Sequence, residues 1–188
     1  MEIKYKLYPY PVLWNKNDDY KMPSEFSAEI KTEENFKNTK LKIKFFLKDK
    51  EIEKLIRENK AEYAVHIEGT RTYFRDFIST RETEITYDLK DRDILGKLEI
   101  NFFILAKQDI RGYRNDNFNE DYSSEAFNLK KGNIIAIADG YRFDIEKNDD
   151  ELGKISSIFS ICKKETVEQT GMTVDMSYEK IRIGLNIT

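Results

Sequence analysis

The chain has 188 residues, enough for one domain or two small ones and for a core that needs no covalent staples. Apolar residues make up 39% and charged residues 36%, a globular rather than a disordered composition, and no apolar run approaches the roughly 18 residues of a membrane-crossing helix. The net charge of −3 is uneven: residues 1–48 hold 10 Lys/Arg against 7 Asp/Glu, and residues 49–188 hold 22 against 28, so neither part has the basic excess of an electrostatic nucleic-acid binder.

The N-terminal MEIKYKLYPYPVLW lacks the basic-then-apolar order of a signal peptide, and the expected compartment is the cytoplasm. All three prolines (Pro9, Pro11 and Pro23) precede residue 24, so YPYPVLW reads as an extended edge segment rather than a central strand. From Phe26 onward the dominant signal is alternation with period two. Phe26, Ala28 and Ile30 form one apolar row, and Leu41, Ile43, Phe45 and Leu47 form the next. DKEIEKLIRENK, residues 49–60, breaks the period. Ile52, Leu55 and Ile56 fall at helical spacing behind Asp49, a good N-cap.

Alternation resumes at Ala61–Ile67, Ile85–Leu89, Leu98–Ala106 and Ile181–Ile187, with weaker runs at 3–8, 72–78, 133–138, 141–145, 155–162 and 172–176. One-sided strands of this kind are what antiparallel sheets make. The fold expected is all-β, mostly antiparallel, with one short helix: a β-sandwich or two small fused β-barrels of about ten to twelve strands. The chain reads as a single β-rich domain over 1–188, and a sub-boundary in the 111–127 loop is allowed but not required. The last strand pattern runs into Thr188 without a turn, an ending compatible with the N-terminal part of a longer protein.

Several chemistries are thinly supplied. One cysteine, Cys162, allows no internal disulfide, and one histidine, His66, leaves too few ligands for an ordinary zinc site. No Gly-rich phosphate loop is present, and no catalytic constellation or cofactor motif is expected. RGYRNDNFNEDYSSEAF, residues 111–127, offers Asp116, Glu120 and Asp121 as weak metal ligands, but the spacing does not fit an EF-hand loop. Its four aromatics, Tyr113, Phe118, Tyr122 and Phe127, are expected to pack the loop down as an ordered flap. Where exposed, they would suit a partner surface.

GTRTYFRDF, residues 69–77, would place Arg71, Tyr73, Arg75 and Phe77 on one strand face, an arrangement able to stack bases and hold phosphates. Asp18-Asp19 followed by Glu29-Ile30-Lys31 resembles, superficially, the carboxylate and Glu-x-Lys sets of Mg²⁺-dependent nucleases. An alternating charged strand also produces Glu-x-Lys by itself. Finally, Phe46, Phe103 and Leu105 put apolar groups on the polar side of their strands, which calls for cover. These features make a non-enzymatic module that binds another protein, itself or a partner, the first expectation. A nucleic-acid-binding barrel using Arg71, Tyr73 and Arg75 is the alternative, and a metal-dependent hydrolase using loop carboxylates is the second.

Overall fold

The structure is a computed structural model that describes residues 8–35, 38–69, 71–90, 96–145, 159–163, 172–175 and 181–185. The chain divides into two compact units, 1–145 and 146–188. It is an all-β, mostly antiparallel fold with a single short α-helix among the described residues.

Two larger antiparallel sheets and a two-stranded ladder make the first unit. One has the order β1 (Glu25–Asn35), β2 (Asn38–Lys48), β5 (Glu84–Lys90). The other has the order β4 (Phe74–Thr80), β3 (Ala61–Gly69), β6 (Gly96–Ala106), β9 (Ile134–Ile145). The helix α1 (Lys50–Arg57) joins β2 to β3 and buries Ile52, Leu55 and Ile56, the three residues at helical spacing. Asp49 caps it, accepting from the Ile52 N–H at 3.0 Å. A small ladder pairs β7 (Ile110–Tyr113) with β8 (Phe127–Leu129).

Alternating side chains from both sheets meet in one core. Phe45 of β2 stacks on Tyr63 of β3 at 4.6 Å with the rings almost parallel, and Phe102 of β6 meets Phe45 edge-on. Leu41, Ile43, Ile67, Ile100 and Ile104 fill the space around them. Each such side chain removed from water contributes about 1.5–3 kcal/mol before the entropy of ordering is counted.

Leu13 pairs in parallel with Ala136, its N–H donating to Ile135 O at 3.0 Å while Ile137 N–H donates to Leu13 O at 2.9 Å. The proline-flanked segment therefore runs extended along β9. Leu13 enters the main core, whereas Val12 and Trp14 point to the other side of the sheet and form a second cluster with Ile137 and Phe103. The cover that Phe103 requires thus comes from the chain's own N-terminal segment.

Two details differ from the sequence reading. The runs at 133–138 and 141–145 are one strand, β9, interrupted by a register shift: Phe102 faces Ala138 and Ile100 faces Tyr141, so Asp139 and Gly140 together oppose Asn101. An inserted residue of this kind reverses the inside-outside phase, which makes one strand look like two in a period-two reading. The strand expected over 72–78 begins only at Phe74, because Tyr73 sits at φ 55°, in the left-handed region, and closes a turn over 71–73.

The second unit holds β10 (Phe159–Lys163), β11 (Met172–Asp175) and β12 (Ile181–Leu185). Its order is β10-β12-β11, with β10 and β12 parallel and β11 antiparallel to β12. Cys162 lies on the backbone of β10. The expected runs at 3–8 and 155–162 lie partly outside the described residues, as do Asp175's neighbour Met176 and Ile187.

Candidate interaction surface

The 111–127 loop is held from several sides. Phe118 is fully buried and meets Tyr20, Tyr113 and Phe127 edge-on at 5.1, 5.5 and 5.8 Å. Tyr113 is also buried, whereas Tyr122 and Phe127 are half-buried and lie 6.1 Å apart. The loop backbone is tied to the 18–21 segment: Lys21 N–H donates to Asn117 O at 2.7 Å and Asn119 N–H to Asp19 O at 2.9 Å. Below it, the buried Asp49 carboxylate accepts from Asn115 Nδ2 at 2.8 Å, Asn117 Nδ2 at 3.1 Å and Ser24 Oγ at 2.9 Å, besides capping α1. Asn115 and Asn117, which alternate with the loop acids, are thus the donors of a structural network. The alternation of Asn with acids carried no signal for that, since their acceptor lies 66 and 68 residues away.

Tyr20 and Tyr113 join hydroxyl to hydroxyl at 3.0 Å. Burial pushes the Tyr113 phenol up to about 12, and it drives Tyr20 well above its usual value. The loop acids Asp116, Glu120 and Asp121 are exposed, and Glu120 stands 3.8 Å from Lys21. Among the described residues no three Asp, Glu, His or Cys side chains are gathered as metal ligands. Of the Asp18, Asp19 and Glu29 set, Asp19 accepts from Val12 N–H at 2.9 Å and Asn17 Nδ2 at 2.8 Å and so locks the turn. Burial raises its carboxyl above the ordinary range while the Val12 N–H acts in the opposite direction.

The outer face of β1-β2-β5 carries Phe46 in a grid of ion pairs: Lys42–Glu33, Lys44–Glu84 and Lys48–Glu25. Lys44 also lies 5.7 Å from the centre of the Phe46 ring. Its lysines are matched by glutamates, and the face has no net basic field.

The 69–77 stretch behaves differently. Tyr73 is 92% exposed at the tip of its turn, and Phe77 is 52% exposed on the outer face of β4, across from His66. Arg71 is exposed beside Tyr73. Arg75 is tied to Glu68, with Nε at 3.1 Å and one terminal nitrogen at 2.7 Å from the same oxygen. Arg75 and Phe77 share the outer face as the alternation requires, whereas Arg71 and Tyr73 belong to the turn. β4 ends its sheet, and no strand among the described residues pairs with its outer edge. Asp76 turns toward the core side, accepting from the Tyr87 hydroxyl, and its other oxygen takes the Phe77 N–H at 2.8 Å.

No helix among the described residues is long and apolar enough to cross a membrane. The chain matches no protein-family model, no curated protein and no solved structure.

Proposed function

We propose that this protein is a non-enzymatic assembly module of the cytoplasm that binds a second copy of itself through the open edge of β4. The observation that carries this reading is the placement of two exposed aromatic side chains, Tyr73 and Phe77, at a strand edge that has no neighbouring strand among the described residues. An unpaired edge presents a row of N–H and C=O groups that another strand can complete, and aromatic residues are enriched where proteins meet.

A second copy is favoured over an unrelated partner because the edge is self-complementary. Phe77 is the midpoint of the seven-residue strand Phe74–Thr80. Antiparallel pairing of two β4 strands about a two-fold axis through Phe77 sets Phe77 against Phe77, Arg75 against Ser79 and Asp76 against Ile78. It places like charges opposite each other nowhere along the strand, and it carries Tyr73 toward the second copy's Arg81, a cation-aromatic pairing. The Phe77 N–H exchanges Asp76 for the neighbouring strand, and Asp76 keeps the Tyr87 hydroxyl.

The nucleic-acid reading of the same stretch loses Arg75, which is tied to Glu68, and keeps Arg71 as its one other cation. The hydrolase reading gains no gathered carboxylates among the described residues.

Light scattering over a concentration series tests the proposal. The expected result is a monomer–dimer equilibrium with a dissociation constant on the order of micromolar, in keeping with a small interface. Phe77→Asp, at a half-exposed position, should be monomeric, with a melting curve that matches wild type below the dissociation constant, where both are monomers. A wild-type chain that stays monomeric at high concentration, or a Phe77→Asp chain that dimerises as well as wild type, overturns it.

A further inference from the structure

The two sheets of the first unit are bound together along one side and open along the other. On the bound side β1 lies against β9: the Tyr141 hydroxyl donates to Ala28 O at 3.3 Å, and the N-terminal segment pairs with β9 at Ala136. On the open side stand β4 and β5, each at the end of its sheet, and no strand among the described residues pairs with the outer edge of either. Neither strand contains a proline, and both keep an unbroken register with their inner neighbours. Proline and bulges are the usual devices that stop an edge from pairing. The core-facing rows here are incompletely covered. Phe74 and Ile78 of β4 and Ile85 and Tyr87 of β5 are half-buried, whereas Leu41, Ile43, Val65 and Ile67 on the strands behind them are buried.

The two open edges are level with each other. Residues 81–83 join β4 to β5, and Phe77 and Tyr87 lie equally far from the middle of that connection. They are also the midpoints of their strands, Phe74–Thr80 and Glu84–Lys90. The Tyr87 hydroxyl donates to Asp76, the neighbour of Phe77, so the two midpoints face each other across the core. A two-fold axis that runs normal to the sheets through Phe77 therefore passes beside Tyr87 as well.

On the premise that β4 pairs with a second copy, we infer that β5 pairs with the second copy's β5 about the same axis, so that both sheets continue across the dimer and the two cores join. The β5 edge is suited to this. Phe45 N–H donates to Thr83 O at 2.8 Å, so the odd-numbered residues of β5 turn their backbone groups to β2, while Thr86 and Asp88 turn theirs to the open edge. Pairing about Tyr87 lets Thr86 exchange backbone hydrogen bonds with the second copy's Asp88. On the core side it sets Ile85 against Leu89 and Tyr87 against Tyr87, which covers the half-buried row. On the outer side it sets Glu84 against Lys90, and like charges meet nowhere along the strand. Lys90 lies across from Asn38 in its own sheet and has no anion partner among the described residues. Glu84 holds Lys44 at 2.7 Å, and its exposed carboxylate can accept from a second cation.

The test compares two variants of the full chain in a Cys162→Ser background under mild oxidation: Phe77→Cys reports on β4 and Tyr87→Cys on β5. Residues directly opposite in an antiparallel pair lie within the span of a disulfide, so both should cross-link between copies. Cross-linking through Phe77→Cys alone overturns the inference and leaves the β4 pairing standing. Cross-linking through neither overturns both, and cross-linking through Tyr87→Cys alone overturns the shared axis. Because Tyr87→Cys also removes the bond to Asp76, a charge reversal at the exposed Lys90 gives a second measure. Lys90→Glu sets like charges opposite at both symmetry-related positions and should raise the dimer dissociation constant at least about threefold at low salt, read by light scattering. Adding Glu84→Lys to it should restore the wild-type value. A Lys90→Glu chain that dimerises as well as wild type, or a double variant no tighter than Lys90→Glu alone, overturns the inference.

Discussion

Asp49 is the position at which one substitution separates the two roles of a single side chain. Its carboxylate caps α1 through Ile52 N–H at 3.0 Å and accepts from Asn115, Asn117 and Ser24 at 2.8, 3.1 and 2.9 Å, and it is buried. Loss of an N-cap costs about 0.5–2 kcal/mol. Hydrogen bonds to a charged acceptor contribute about 1.5–3 kcal/mol each, and a buried donor left without a partner costs about 1–3 kcal/mol. Asn115 is buried and cannot turn to water, whereas Ser24 and Asn117 are half-buried and can recover part of their loss. These effects share partners and are not additive, so Asp49→Ala should destabilise the first unit by about 3–5 kcal/mol. Asp49→Asn keeps the cap, because Asn is as good an N-cap as Asp, and should cost about half as much. Urea unfolding followed by far-ultraviolet circular dichroism measures both. A double-mutant cycle of Asp49→Ala with Asn115→Ala should give a coupling above about 1 kcal/mol. An Asp49→Ala cost below about 1 kcal/mol, or additive single mutants, would refute the claim that this carboxylate ties the 111–127 loop to the helix.

Alkaline pH should unfold the protein through Tyr20 and Tyr113. Both phenols titrate higher folded than unfolded, so their contribution is intact below about pH 10 and disappears as pH rises toward and through 12. For Tyr113 it is on the order of 3 kcal/mol, and Tyr113→Phe should flatten the fall of urea midpoint with pH over that range, while an unchanged slope would contradict it. Gly140→Ala should cost about 1–3 kcal/mol by overpacking against Ile100 O, read from the thermal midpoint, and a neutral result would mean that the bulge yields freely. Phe102→Ala, at the fully buried junction of the two sheets, should cost about 3–5 kcal/mol in urea unfolding, and a cost below 1 kcal/mol would mean that the sheets do not share a core there.

Where one face of a strand meets the core and the other meets solvent, the sequence was readable. The rows Leu41-Ile43-Phe45 and Ile100-Phe102-Ile104 are buried as alternation demands, and Asp49 caps the helix that Ile52, Leu55 and Ile56 announce. Legibility ended where geometry departs from period two or depends on distant partners. The bulge at Asp139-Gly140 split one strand into two apparent ones, and the left-handed Tyr73 moved the start of β4. The role of Asn115 and Asn117 is set by Asp49, whose distance along the chain no local pattern records. Trp14 and Gly140 line one cleft for the same reason: a parallel bridge from Leu13 to Ala136 brings together segments more than a hundred residues apart.

The most direct test of self-assembly through β4 is register-specific cross-linking in a Cys162→Ser background. Residues directly opposite in an antiparallel pair have Cα atoms about 4.5–5.5 Å apart, within the span of a disulfide. Pairing centred on Phe77 predicts that Phe77→Cys forms an intermolecular disulfide under mild oxidation. Arg75→Cys should not, because the two copies of position 75 then lie four residues apart along the strand, about 13 Å. Cross-linking through position 75 alone, or equally through both positions, would contradict the register, and cross-linking through neither would contradict the edge itself.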